Sequence, residues 1–220
     1  MMNRQFKTKY IFYGLGILIL TLGISFTIHS NLGTSPFDAL LVGLSKKVGL
    51  TVGSWEIVIA LLLIFCNSLL KRKRPEFLGL ITSFITGFGI DMWLFLLNHF
   101  MTPEQWFTKF VFFGLGLIVI GLGTAIYLQT NFAPIPVDHL MLIIREITGM
   151  SMMFSKTLIY LLFLTMAFIF NGPIGIGTIF TVCVGGPILN YFMPLVTKGL
   201  NTHTATNTAT TSEKDKTHSV

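Results

Sequence analysis

Residues 31–40 read NLGTSPFDAL and residues 131–140 read NFAPIPVDHL, so Asn, Pro, Asp and Leu return at the same spacing one hundred residues on. The match extends outward. At this offset residues 12–49 and 112–149 share eleven identities in thirty-eight positions, including Gly16, Gly23 and Gly49 with Gly116, Gly123 and Gly149. At an offset of 98, Pro75, Gly79, Gly87 and Ile90 meet Pro173, Gly177, Gly185 and Ile188. The chain reads as a duplication.

Composition decides the solvent. The chain is 52% hydrophobic and only 11% charged, against about 25% charged in a soluble domain, which places it in a lipid bilayer. The formal charge of +6 comes from Lys and Arg between apolar runs, where they act as orientation signals and not as a nucleic-acid surface. Cys66 and Cys183 fall inside apolar segments and read as small apolar fillers, not as a disulfide framework. The basic start leads into an apolar run with no A-x-A cleavage site in FTIHSNLG, so it is expected to be a retained first helix.

Six runs are long enough to cross a bilayer, near residues 10–29, 54–70, 77–98, 107–129, 152–171 and 174–196. Two shorter pieces, 36–48 and 136–148, carry Asp38, Lys46 and Lys47, or Asp138, Arg145 and Glu146, and suit re-entrant or interfacial helices. With six spans and the N-terminus inside, the KRKR run at 71–74 is cytoplasmic; if both short pieces crossed, it would lie outside, against the positive-inside bias. The expected fold class is therefore an all-α membrane protein of six transmembrane helices in two three-helix repeats, each with one short helix. Its parts are a cytoplasmic N-terminus (1–9), a first membrane repeat (10–98), an external loop (99–106), a second repeat (107–196) and a disordered cytoplasmic tail (197–220). Three spans per unit is an odd number, so the copies enter from opposite sides. Inverted repeats with short Pro-containing segments at matching positions are a transporter signature, and those segments point to the binding site.

In the first copy Ser35 can cap a helix, Pro36 fits its first position and Asp38 its third, where a carboxylate meets orphan N–H groups. The second copy has Ile135 in place of that serine, which leaves Asp138 freer to serve a ligand. Thr34 of the first tip becomes Pro134, so the tips are not chemically equivalent. Asn31 and Asn131 close the preceding spans, either as left-handed caps or as ligand groups. Asp91, in GFGIDMWLF, has no helix start to explain it, and Asn190 is its near counterpart; inversion makes Asp38 with Asp91 an outer pair and Asp138 with Asn190 an inner one, and the four converge near the midplane if both tips dip deeply. His139 beside Asp138 could relay protons or make an ordinary hydrogen bond. Glu56 follows Trp55 and is expected to be an interface anchor. The glycines, above all Gly16 with Gly23 and Gly116 with Gly123, are expected to let helices approach closely. No HExxH, Walker loop or CxxC pair occurs, so neither a cofactor nor catalysis is expected.

The stretch LGISFTIHSNLGTSPFDALLVGLSKKVGLTVGSW, residues 22–55, resembles the YczE-like branch of the bacterial YczE/YyaS/YitT family of integral membrane proteins, and the resemblance covers residues from about 10 to 196. It implies a multi-pass protein of the bacterial plasma membrane, here with both termini cytoplasmic. It also implies an accessory or export role connected with lipopeptide or polyketide antibiotic production, and it assigns no site residues. Two functions follow. One is a small secondary carrier of an unidentified solute or ion, coupled through Asp38, Asp91 and Asp138. The other is a non-transporting accessory or scaffold for secondary-metabolite biosynthesis or regulation. A substrate-binding subunit of an energised uptake complex is a third. The lipid bilayer is the expected surrounding, with a homodimer or a membrane partner as further possibilities.

Overall fold

The computed structural model describes the backbone of residues 2–100, 103–130 and 132–217, and the side chains of 9–100, 103–130, 132–151 and 154–198. Asn131 lies outside the described residues. Among the described residues eight helices follow in order: α1 (Met2–His29), α2 (Pro36–Val48), α3 (Val52–Lys71), α4 (Leu78–Phe100), α5 (Trp106–Gln129), α6 (Pro136–Thr148), α7 (Met152–Ile169) and α8 (Ile176–Thr217). Among the described residues there is no strand.

Five helical stretches are long and apolar enough to cross a membrane: Lys9–His29, Val52–Lys71, Leu78–Phe100, Trp106–Gln129 and Ile176–Lys198. The run expected at 152–171 forms α7, whose stretch Phe154–Ile169 is apolar but shorter. The two 13-residue helices α2 and α6 reach about 20 Å, too short to cross. The helical backbone of α8 continues to Thr217, where composition suggests an unstructured tail. The chain beyond Gly199 has no Pro or Gly to stop a helix.

Local chemistry sets the boundaries. Ser35, Thr51 and Ser151 each accept from the backbone N–H three residues on and start α2, α3 and α7. Gly49 (φ 102°) and Gly149 (φ 67°) end α2 and α6 in conformations that suit glycine, which accounts for that repeated identity.

The centre of the bundle is the contact between α1 and α5. A Cβ on Gly16 would stand 2.7 Å from the Tyr127 backbone N, and one on Gly23 would stand 2.6 Å from the Ile120 N. The relation is reciprocal: Gly116 meets the Gly23 carbonyl and Gly123 the Gly16 carbonyl, both at 2.9 Å. Backbones that touch this closely run antiparallel along a glycine seam. On one side α4 packs against α1, with Trp93 Nε1 donating to Leu18 O at 3.2 Å and the Tyr13 and Thr82 hydroxyls bonded to each other. On the other side α8 packs against α5, with Gln129 Nε2 donating to Thr197 Oγ1 at 2.6 Å.

The short helices tie the halves together. α2 packs on α7 and α6 on α3, each against a helix of the other half. Lys47 Nζ donates to Ile169 O at 3.1 Å, Asn67 Nδ2 to Pro136 O at 3.0 Å, and Lys71 pairs with Glu146 at 3.4 Å. Phe37, Leu40, Leu63, Met141 and Phe163 form the apolar core between them. Outward-facing Phe84, Phe88, Phe95 and Phe168 are more than half exposed, a pattern that suits lipid contact in so apolar a chain. Cys66 and Cys183 are exposed free thiols.

The seam makes a paired prediction. Gly16→Leu must push backbone apart and lowers both folded yield and Tm in detergent. Gly14→Leu leaves them unchanged, because a Cβ there meets nothing within 4 Å. Equal Tm values for the two variants would rule out the seam.

Candidate functional site

The two tips start inside the molecule, not at its rim. Ser30, Thr34 and the first nine residues of α2, Pro36–Leu44, are buried, while Lys46 and Lys47 at the far end are exposed. The first tip rests on the start of α8: Gly177 N donates to Leu32 O at 2.8 Å, and Gly33 (φ 107°) leaves no room for a side chain beside Gly175. The second tip rests on the start of α4, where Thr82 Oγ1 donates to Ala133 O at 3.1 Å.

Ser35 caps α2 as its position suggests. Its Oγ accepts from Asp38 N at 3.2 Å and donates to Asp38 Oδ2 at 2.5 Å. Thr34 is fully buried, with its hydroxyl 2.8 Å from that of Thr27. Ile135 gives α6 no side-chain cap, and Asp138 is held instead by the Tyr127 hydroxyl, which donates to Oδ2. Both aspartates face one cavity of about 150 Å³ between the halves. Glu56 of α3 and Lys156 of α7 also line it, together with Tyr127, Tyr160 and the hydroxyls of Thr86, Thr124 and Thr181. The remaining wall is apolar, built from Leu20, Ile24, Leu117, Ile120 and Leu189.

Glu56 corrects the expectation of an interface anchor: it is 2% exposed. Trp55 keeps to the surface side, donating to Gly49 O at 2.7 Å. Glu56 Oε1 and Ser83 Oγ are buried and make no hydrogen bond of ordinary geometry among the described residues, although the Ser83 hydroxyl lies near enough to act on the Glu56 carboxyl as a donor. Lys156 Nζ sits 5.3 Å over the Tyr160 ring and within electrostatic reach of Asp138. Glu56 and Lys156 occupy the same position of the two repeats, one hundred residues apart, with opposite charge. That opposition was the available signal for both.

Other expected site residues lie elsewhere. Asp91 Oδ1 accepts from Gly53 N at 2.8 Å, so it caps α3 from the neighbouring helix α4. Gly53 and Gly87 touch backbone to backbone at this point. Asn190 is exposed on α8, and Leu189 beside it faces the cavity. The four-residue convergence therefore reduces to Asp38 and Asp138. Asn31 (φ 55°) adopts the left-handed conformation just past α1, as a helix-ending Asn does. His139 lines a separate cavity of about 60 Å³ with Asn67, Lys71 and Glu76, its Nδ1 3.8 Å from Glu76 Oε2.

A family model described as a family of unknown function, DUF6198, matches residues 7–194. The chain is 62% identical over 188 residues to an uncharacterized protein of Bacillus subtilis (strain 168), YyaS, covering 86% of this chain and 94% of that one. It is 34% identical over 209 residues to the uncharacterized membrane protein YczE of the same organism, covering 94% and 96%. An uncharacterized protein of Haemophilus influenzae is 23% identical over 195 residues, covering 88% and 87%. No solved structure matches.

The geometry around Asp91 sets its mutational cost. Asp91→Ala removes one of the two side-chain acceptors at the start of α3, leaving Thr51, and lowers stability by about 0.5–2 kcal/mol. Asp91→Asn keeps an acceptor oxygen and loses less, about 0.3–1 kcal/mol. Denaturation of the purified protein measures both, and an unshifted Asp91→Ala variant would remove the capping role.

Proposed function

We propose that this chain, which belongs to the YczE/YyaS family of bacterial membrane proteins, is a small secondary carrier working by alternating access. The observation that supports this most is the shared cavity. Both Pro-x-Asp tips open onto one chamber between the halves, largely apolar but lined by three carboxylates, where a carrier with inverted repeats holds its solute. A scaffold has no need of three carboxylates in such a place, since intramembrane acids are costly.

In this reading α1, α3, α4, α5, α7 and α8 cross the plasma membrane, α2 and α6 are re-entrant, and both termini are cytoplasmic. The partner pattern of the two halves supports an inverted repeat. α1 meets α5, α4 on α1 corresponds to α8 on α5, and α2 on α7 corresponds to α6 on α3. One pair breaks the pattern. α3 lies along α4 and is closed on it at Gly53 and Gly87, whereas α7 barely touches α8. At the counterpart of Gly87 a Cβ on Gly185 would meet nothing within 4 Å. Sequence pairing between halves that differ in closure is what alternating access requires, with each half taking the other's arrangement in the opposite-facing state. The stretch Gly185-Gly186-Pro187 weakens α8 where it would have to bend.

With the N-terminus inside, the closed α3–α4 contact belongs to the outer half of the membrane and the looser α7–α8 pair to the inner half, so this state faces the cytoplasm. Single cysteines at positions 73 and 185, in a background lacking Cys66 and Cys183, test both orientation and access. An impermeant thiol reagent is expected to label both in inside-out vesicles and neither from outside intact cells. Labelling of position 73 from outside would overturn the topology; failure to label 185 from either side would indicate a dry centre and a scaffold.

A further inference from the structure

We infer that Glu56 and Asp38 form a cation site in the central cavity, which takes the ammonium group of a small amphipathic amine. The inference rests on the carrier reading for access to the cavity; its chemistry comes from the charges themselves.

Three carboxylates and one ammonium face the chamber. Asp138 accepts from the Tyr127 hydroxyl and feels the charge of Lys156, and Asp38 accepts from the Ser35 hydroxyl. Two further acids line the same chamber, Asp38 on α2 and Glu56 on α3, and the charge of Asp38 reaches Glu56. Asp38 is 6% and Glu56 2% exposed, and Glu56 Oε1 makes no hydrogen bond of ordinary geometry among the described residues. Two buried carboxylates on one cavity repel and forgo hydration, an arrangement that is costly unless a proton or a positive group enters. One ammonium, Lys156, stands against three carboxylates in this chamber. The Glu56 carboxyl, with only the neutral Ser83 hydroxyl close by, is an acceptor that a positively charged donor would suit.

The walls say what surrounds that charge. A small metal ion seeks a shell of oxygen ligands; here the hydroxyls of Thr86, Thr124 and Thr181 share the wall with Leu20, Ile24, Leu117 and Ile120, and most of the wall is apolar. Such a surface suits a hydrocarbon body, and a cavity of about 150 Å³ takes one benzene-sized group. An amine with a single ring or a short alkyl chain fits both parts. Because the same oxygens hold either a proton or the ammonium, binding expels a proton, which links solute to proton movement by exchange. From the other elements facing the site, the titratable groups are Asp138, Tyr127, Tyr160 and Lys156.

Full-length protein in detergent is titrated at neutral pH with benzylamine, benzyl alcohol and benzoate, which differ in charge but scarcely in shape. Benzylamine alone is expected to raise Tm and to release protons into weakly buffered solution. Glu56→Gln and Asp38→Asn are each expected to weaken it at least tenfold, while Asp91→Asn binds as the native protein does. The native charge series stands even if a variant folds poorly. Equal effects of the three compounds, preference for benzoate, no binding at all, or unchanged binding in Glu56→Gln would each overturn the cation site. Binding in detergent without exchange in proteoliposomes would keep the site and remove the carrier. A labelled position 185 with no amine binding would remove the site and keep the carrier.

Discussion

Everything in this molecule depends on two helices touching backbone to backbone. Gly16 and Gly23 on α1, against Gly116 and Gly123 on α5, allow an approach that a methyl group would block. In lipid there is little hydrophobic gain from bringing helices together, so close packing of this kind is a principal source of association. The seam fixes the two halves antiparallel. It also places each tip on the first turns of the other half's last helix, with the Leu32 and Ala133 carbonyls accepting hydrogen bonds there. The chamber is the space that remains beside the seam once the tips are seated.

What fills that space follows from how each charge is compensated. The first tip spends its serine on its aspartate, and the second, lacking one, borrows a tyrosine from α5. Lys156 stands within reach of Asp138, while its repeat counterpart Glu56 adds negative charge beside Asp38. Opposite charges at matching positions of the repeated sequence make the two sides of the chamber unlike. In the proposed carrier this asymmetry would give the site one sign.

The frame was legible in the sequence because it rests on local rules. The repeated glycines, the Ser35 cap, the left-handed Asn31 and the short helices all follow from residue type and spacing. The site was less legible because burial there is set by distant segments. Glu56 follows a Trp near a helix start, which reads as an interface, yet the neighbouring elements enclose it. Asp91 lacked a partner only within its own helix; its partner is Gly53, supplied from the preceding span. Asn190 differs from the true offset of 98 by one position. One residue turns a helix by about 100°, enough to send Asn190 outward and bring Leu189 to the cavity.

The central claim, that the two halves exchange closure around the chamber, can be measured as a pair of distances. Spin labels at positions 54 and 95 report on α3 and α4, and labels at the repeat-equivalent positions 154 and 193 report on α7 and α8. Pulsed electron resonance on protein in proteoliposomes, across a range of pH, would follow both. The account predicts two distances for each pair with opposed populations, the first pair short when the second is long. A single distance for each pair, unmoved by pH or by added benzylamine, would contradict it.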